Sequence, residues 1–483
     1  MTLSPARIAS LAAAAQIITV AALAWGAFAF GAVYPWAYWP LVAACCLAGF
    51  AGLFAEHAGA SRALIVALAL IVAAGLLQVV PLSRETLGEV SPTAPGVIAQ
   101  LEPAFAIGML PAHPVSIHPP LTWTGLALLA SFFLLLIGSS RLFSRLGTSA
   151  IVRALTVLGV VLALAGIVQK ALYNGKVYGF WTTQMSGSPF GPFVNKNHFA
   201  GWMLLALPLT LGLVCAGISR GMRGVRPVWR ERFLWLSSPE ANELMLLLAA
   251  SAVMALALVM TMSRSGIGSL ALGLTLTAWF VLRGHGTGTR KAAAGIYVVL
   301  LALVVVAWVG VDAVSERFAQ ADWTDVNGRK GTWSDAWHIA SLFPLTGTGL
   351  NTYGVATLFY QRIDPSAHYA QAHNDYLQLG AEGGLLLTVP AAAGLVLLIR
   401  DIRRRLREDR GASAYWIRAG AITGLVAMAL QETVEFSLQM PGNAALFAVV
   451  CGLALHRSPP RRALSANRDA GLATRDSRLT TND

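Results

Sequence analysis

The chain has 483 residues, enough by length for two or three soluble domains, yet 56% of them are hydrophobic and only 12% charged. That is about half the usual charged share of a soluble domain, and with a mean hydropathy of +0.62 it leaves too little polar surface to coat a water-soluble globule. The net charge of +12 belongs to membrane topology rather than to nucleic-acid binding.

A membrane span needs about 20 apolar residues, somewhat fewer inside a bundle. Twelve candidate spans follow in chain order, beginning with Ile8–Phe30, Trp36–Phe54, Ala63–Val80 and Leu121–Ile137. Ala150–Leu172, Phe199–Ile218, Leu244–Met262 and Ile267–Leu282 come next. Ala292–Val311, Leu377–Ile399, Ala414–Leu430 and the short Ala444–Leu455 complete the set. The first run ends in Ala-Phe-Ala-Phe-Gly-Ala, which looks like a signal-peptidase site, but it is too long for a signal peptide and is expected to be retained. The fold class predicted is therefore an all-α polytopic membrane protein of about twelve helices.

Arginine and lysine set its orientation. Arg141 and Arg145 follow the fourth span, and Arg220, Arg223, Arg226, Arg230 and Arg232 the sixth. Arg283, Arg290 and Lys291 follow the eighth, Arg400, Arg403, Arg404, Arg405, Arg407 and Arg410 the tenth, and Arg457 the last. All follow even-numbered spans, so the even links and both termini are expected in the cytoplasm. Acidic residues sit in odd links: Glu85, Glu89 and Glu102 after the third span, and Asp312, Glu316, Asp322, Asp325 and Asp335 after the ninth. Residues 1–457 read as one membrane domain with a large outward loop, 312–376, forming a lid; residues 458–483 read as a disordered cytoplasmic tail. Cys45, Cys46, Cys215 and Cys451 lie in apolar stretches, where they act as small hydrophobes and suggest neither a disulfide nor a metal site.

Three outer segments exceed a tight turn: a Pro-rich strap, Pro81–Pro120; Tyr173–His198; and Asp312–Tyr376. The second closes with Asn195-Lys196-Asn197-His198. Two amides, an ammonium and an imidazole suit a sugar or phosphate, and equally an N-cap with a snorkelling lysine. Between the seventh and eighth spans lies Thr261-Met-Ser-Arg264-Ser-Gly266, where Arg264 is either an anion ligand near membrane depth or an interfacial anchor.

In the ninth-to-tenth loop, the stretch from Asn327 begins as a turn and becomes helical, with Trp333, Trp337, Ala340 and Ser341 near one face. Pro344 ends that helix. Arg329 stands at its start, beside free backbone amides that favour an anion, or pairs with Asp325 or Asp335. Lys330 adjoins it. The loop ends in His373-Asn374-Asp375, with Glu382 and Gly383 beyond. A neutral imidazole at a span mouth is a candidate general base, or a structural histidine. No metal is expected: His368 and His373 do not make a zinc pair, and no cysteine is near. Gln431, Glu432 and Glu435 end the eleventh span, where Glu435 either supports the cavity or an arginine, or caps a solvated helix end.

In order, Asn195–His198, Ser263-Arg264-Ser-Gly, Arg329 with Trp333, Ala336, Pro344 and Gly347-Thr-Gly349, His373-Asn374 with Glu382-Gly383, and Glu435-Phe-Ser-Leu-Gln-Met-Pro with Asn443 resemble the O-antigen ligase and polysaccharide polymerase family. The resemblance spans most of the chain. It implies a bacterial inner-membrane glycosyltransferase with a periplasmic active site and no cofactor, the donor being a polyprenyl-diphosphate-linked glycan. His373 would take the acceptor's proton, and Arg264, Arg329 and Lys330 would hold the diphosphate. Asn195, Lys196, Asn197, His198, Asn374, Glu382 and Glu435 would bind substrate or support the site. Inversion at the anomeric carbon is expected of the single displacement. The implied partners are the lipid-linked donor, a saccharide acceptor, membrane lipid and polysaccharide assembly and export proteins. Many relatives carry His and Asp where this chain has Gln431 and Glu435. The Asn-Lys-Asn-His run and the Pro-rich strap look more like exopolysaccharide polymerases than ligases acting on lipid A core. A transporter or flippase of lipid-linked sugars is the alternative; it would show inverted repeats and charges along several spans.

Overall fold

The structure, a computed structural model, describes residues 4–55, 59–183, 188–221, 239–283, 295, 324–363, 367–408 and 412–458. The first helices are α1 (Pro5–Phe28), α2 (Pro35–Leu53) and α3 (Arg62–Leu77). A short pair of antiparallel strands, β1 (Pro81–Ser83) and β2 (Ala112–Pro114), encloses α4 (Arg84–Val90), α5 (Ala94–Leu101) and α6 (Pro103–Ala106). The long helices α7 (Pro119–Leu146), α8 (Ser149–Ala171), α9 (Lys196–Gly221), α10 (Pro239–Met260) and α11 (Arg264–Arg283) follow. Last come α12 (Thr324–Leu342), α13 (Tyr353–Tyr360), α14 (Asp375–Glu408), α15 (Ala412–Gln431) and α16 (Pro441–Leu455).

The protein is an all-α polytopic membrane protein. Eight described helices are long and apolar enough to cross a membrane, and α3 and α16 are shorter apolar helices. Each expected span coincides with a described helix except the ninth, Ala292–Val311, which apart from Gly295 lies outside the described residues together with the start of the outer loop.

The bundle is built around α9, whose apolar length is wholly enclosed. Lipid offers no hydrophobic drive for helix association, so tight packing depends on small residues that let backbones approach. Gly212 of α9 faces the Trp416 carbonyl of α15, where a Cβ would come within 2.6 Å. Thr156 and Thr210 hydrogen-bond across α8 and α9 at 3.0 Å.

Above the bundle sits a second core. Leu87, Val97, Ile98, Phe105, Val115 and Ile117 of the Pro-rich strap pack with Ala336, Ile339, Phe343 and Tyr353 of the ninth-to-tenth loop. The strap is thus half of a folded cap and not a loose surface segment. This packing also corrects the expected face of α12. Its buried stripe is Thr332, Asp335, Ala336, Ile339 and Phe343, while Trp337 is 69% exposed. The small residues and Asp335 turn inward because the strap leaves little room there and because Asp335 accepts from the Arg362 and Ile363 amides at 3.2 and 3.4 Å.

The cap is joined to the bundle by a break in α14. Gly384 has φ 52° and ψ −159°, so the helical ladder stops and restarts. The amides released there are taken by the turn after α12: Leu385 donates to the Pro344 carbonyl and Leu386 to that of Leu345, each at 2.9 Å. In return Thr348 and Gly349 donate to the carbonyls of Ala381 and Glu382 at 3.0 Å. Gln78, at the end of α3, closes the joint by donating to the Thr346 and Glu382 carbonyls at 2.7 and 2.8 Å and accepting from the Leu350 amide at 3.0 Å.

At the opposite end of α14, two buried arginines satisfy helix-end carbonyls. Arg405 donates to Leu455 O at 3.2 Å and Gly59 O at 2.7 Å, and Arg418 to Ala454 O at 3.1 Å and His456 O at 2.9 Å.

The break predicts a sharp steric requirement. A Cβ on Gly384 would come within 2.6 Å of Gly347 N and 2.7 Å of the Leu345 carbonyl carbon, whereas one on Gly88 would meet nothing within 4 Å. Gly384→Ala is therefore expected to lower the thermal midpoint in detergent by several degrees, with backbone strain alone costing about 1–3 kcal/mol, and Gly88→Ala to leave it unchanged. Equal midpoints for the two variants would contradict the account of the joint.

Candidate active site

The α15–α16 link brings one carboxylate under the cap. Glu435 has no exposed surface, and its Oε1 accepts from three chain-distant donors. Asn197 Nδ2 reaches it at 2.7 Å from the start of α9, Arg329 Nη2 at 2.6 Å from the second turn of α12, and Ser265 Oγ at 3.4 Å from the start of α11. Its other oxygen, Oε2, lies 3.8 Å from His373 Nδ1, beyond hydrogen-bond length. Burial alone would push this carboxyl up, but His373, Arg329 and His198 outweigh burial and hold it below the ordinary carboxylate range. Glu435 is the fixed negative charge of the site.

His373 is clamped from both sides along the chain. It has a left-handed backbone, φ 51°, a conformation that persists only when its surroundings over-determine it. Trp333 Nε1 donates to its carbonyl at 3.1 Å, and the Ala372 amide donates to Gln378 Oε1 at 2.9 Å. Beyond it, Asn374 Nδ2 donates to Thr433 O at 2.9 Å, the Asp375 amide to Glu432 O at 3.1 Å, and Tyr376 OH to Ala429 O at 2.8 Å. The ring meets Phe436 edge-on at 4.7 Å, with the side chain 26% exposed. Its Nδ1 is buried without a hydrogen-bond partner among the described residues.

A hydrogen-bonded acidic layer lies alongside. Gln439 Nε2 donates to Asp375 Oδ1 at 2.7 Å and Gln378 Nε2 to Gln439 Oε1 at 3.0 Å. Burial and then the Asp375 carboxylate push Glu432 well above the usual range, so that it carries the proton of the pair.

Of the expected site residues, the structure gathers Asn197, Arg329, His373 and Glu435 into one cluster, with His198 beside it. Lys330 and Arg264 are exposed next to cluster members; the residue of the Ser-Arg-Ser-Gly run that touches Glu435 is Ser265. Arg329 does not stand at a helix start, because α12 begins at Thr324, and it pairs with Glu435 instead of Asp325 or Asp335. Asn195 is the α9 cap: its side chain accepts from the Asn197 amide at 2.8 Å and its carbonyl from the His198 amide at 3.2 Å. Lys196 opens α9 between the two amides, its own amide donating to Ser188 O at 2.8 Å. Asn374 caps α14 by accepting from Leu377 N at 3.0 Å. Glu382 lies in the α14 joint, where it accepts from Asn351 N at 2.8 Å, Tyr353 N at 3.0 Å and Gln378 Nε2 at 3.0 Å. Gln431 is buried and donates to Asn197 O at 3.1 Å. Sequence reasoning missed Ser265, Gln78, Gln378 and Phe436; a glutamine at the end of an apolar run, as at Gln78, was the one available signal.

The Glu435 cluster yields a prediction with a defined sign. A carboxyl held low in the folded state stabilises the protein above its unfolded value, near pH 4.3, and that contribution disappears as pH falls through the folded value. Glu435→Gln is expected to cost about 2–3 kcal/mol at pH 7, less than a fully buried pair because Arg329 is 30% exposed. Its thermal midpoint should converge towards that of wild type as pH falls below the unfolded carboxyl value and through the lower folded one. A constant difference from pH 7 to pH 3 would show that Glu435 is not the ionised group.

No curated protein matches the chain. Residues 249–391 match the family model described as O-antigen ligase. The matched segment contains Arg264, Ser265, Arg329 and His373 and stops short of Glu435, while Asn197 precedes it. Over residues 249–391, less than half of its length, this polytopic membrane protein is thus similar to the O-antigen ligase family.

Proposed function

We propose that the chain transfers a glycan from a polyprenyl-diphosphate carrier to an acceptor hydroxyl, by inversion and without a divalent metal. The observation that carries this reading is the convergence of Arg329 and His373 on the buried Glu435. A carboxylate beside Nδ1 favours the tautomer with its proton there, leaving Nε2 as the base. The 3.8 Å separation closes to hydrogen-bond length in the substrate complex, as catalytic contacts in free enzymes commonly do.

In the proposed step the acceptor O–H gives its proton to His373 Nε2 as the oxygen bonds to the anomeric carbon. The bond from that carbon to the diphosphate oxygen breaks, and its electron pair leaves with the lipid diphosphate. Arg329 uses one Nη2 contact on Glu435; the guanidinium has five N–H donors, so others remain for phosphate oxygens. Arg264 and Lys330 add positive charge, and planar guanidinium forks suit phosphate better than point charges do.

The cluster lies at the ends of α9, α11, α14 and α16 opposite to Arg220, Arg405, Arg407 and Arg457. By the positive-inside rule this supports a periplasmic site with both termini cytoplasmic, in the bacterial inner membrane. The folded strap, with the Asn-Lys-Asn-His run, favours polymerisation of repeat units over ligation to lipid A core. Lipid-linked donor, saccharide acceptor and polysaccharide export proteins are the partners on this reading.

Purified protein with a polyprenyl-diphosphate oligosaccharide and candidate acceptors tests it. His373→Ala is expected to lower kcat about 100-fold or more, and a metal chelator to leave the wild-type rate unchanged. Undiminished transfer by a folded His373→Ala protein would sink the general-base role; strong inhibition by chelator would sink the metal-free mechanism.

A further inference from the structure

Behind Glu435 lies an imidazole without a partner. His198, in the first turn of α9, is 3% exposed, and among the described residues neither ring nitrogen has a hydrogen-bond partner. Its main chain is satisfied, the carbonyl accepting from Asn443 Nδ2 at 2.9 Å. The ring meets Phe436 at 4.7 Å, the same aromatic that meets His373 at 4.7 Å, so one phenyl ring spaces two imidazoles. Both imidazoles are within electrostatic reach of Glu435.

A purely packing role explains this poorly. Each buried polar atom left unpaired costs about 1–3 kcal/mol, and a phenylalanine or leucine would fill similar space without that cost. The carboxylate shows the complementary gap. Asn197, Ser265 and Arg329 all donate to Oε1, while Oε2 is buried and has no hydrogen-bond donor among the described residues. An acceptor and a donor without partners among the described residues thus belong to one cluster, His198 following Asn197 directly in the chain and Phe436 following Glu435.

We propose that His198 is a positioning residue for glycosyl transfer, its neutral imidazole donating an N–H to Glu435 Oε2, directly or through one water, and so holding the carboxylate in line with His373 and Arg329. This rests on the transfer reaction proposed above. The proton taken from the acceptor still goes to His373; His198 forms no bond to substrate and is neither consumed nor charged in the step. Bridging by one water is nearly as favourable as a direct contact.

His198→Phe and His198→Gln in the full-length protein test this, assayed beside wild type and His373→Ala for transfer kinetics and for thermal midpoint against pH. The phenylalanine variant is expected to lose about 10-fold or more in kcat, as befits a hydrogen bond to a charged group, with KM for the donor unchanged. Both variants lack the titrating ring, so the acid loss of stability is compared between them: in His198→Phe it should be complete at higher pH than in His198→Gln, because Glu435 has lost a donor to its ionised form. The glutamine variant, which keeps an N–H, should recover most of the kcat. Wild-type kcat in His198→Phe would overturn the proposal, as would a glutamine variant no better than phenylalanine in kcat and in acid limb. If the phenylalanine variant does not fold, glutamine decides alone: near-wild-type kcat supports the role, and a 10-fold loss refutes it. A wild-type protein that transfers no glycan sinks the transfer reading instead, while the difference in acid limb between the two variants still judges the contact to Glu435.

Discussion

A carboxylate removed from water loses far more solvation than any single contact restores, so it stays ionised only where several donors and positive charges surround it. Glu435 is such a group, and much of the architecture around the site serves that condition. Helix α9 brings Asn197, α11 brings Ser265, α12 brings Arg329 and the start of α14 brings His373. Four segments that share no local sequence relation are tied to one oxygen pair. The charge balance within the cluster therefore depends on the cap being closed over the bundle.

That closure rests on the interruption of α14. A continuous helix would satisfy its own amides and offer the cap nothing to bind. Breaking at Gly384 frees amides and carbonyls that the Pro344–Gly349 turn then pairs, while Gln78 and Glu382 stitch the same turn to α3 and α13. Non-helical backbone near a membrane is tolerated only where protein satisfies it, and here it is satisfied by the element that carries Arg329's helix. The break and the site are consequently coupled: the segment leading into α14 carries His373, and the turn it grips follows α12.

The two ends of the bundle handle charge in different ways. At the far end, Arg405 and Arg418 are spent on carbonyls closing α16, so not every arginine of the basic segments is a solvated topology marker. At the cap end, Arg329 is paired with a carboxylate and still partly exposed. Residue type alone does not distinguish these uses.

Hydropathy and the placement of arginines determined the helical class and the position of the spans, because lipid forces each crossing segment to be apolar along its whole length and that demand is local. His373 was legible as a candidate since a polar side chain at a span mouth is conspicuous, and Arg329 since it was expected beside free amides at a helix start. Glu435 was not legible as the centre: it reads equally well as a solvated helix end, and its partners Asn197 and Arg329 lie 238 and 106 residues away. Nor did the strap's role in the cap, the buried face of α12 or the unpartnered His198 follow from periodicity. Tertiary structure decided these, because which buried charge meets which donor depends on how helices distant in sequence pack together, and helix packing in lipid is set by shape and hydrogen bonding rather than by hydrophobic pattern.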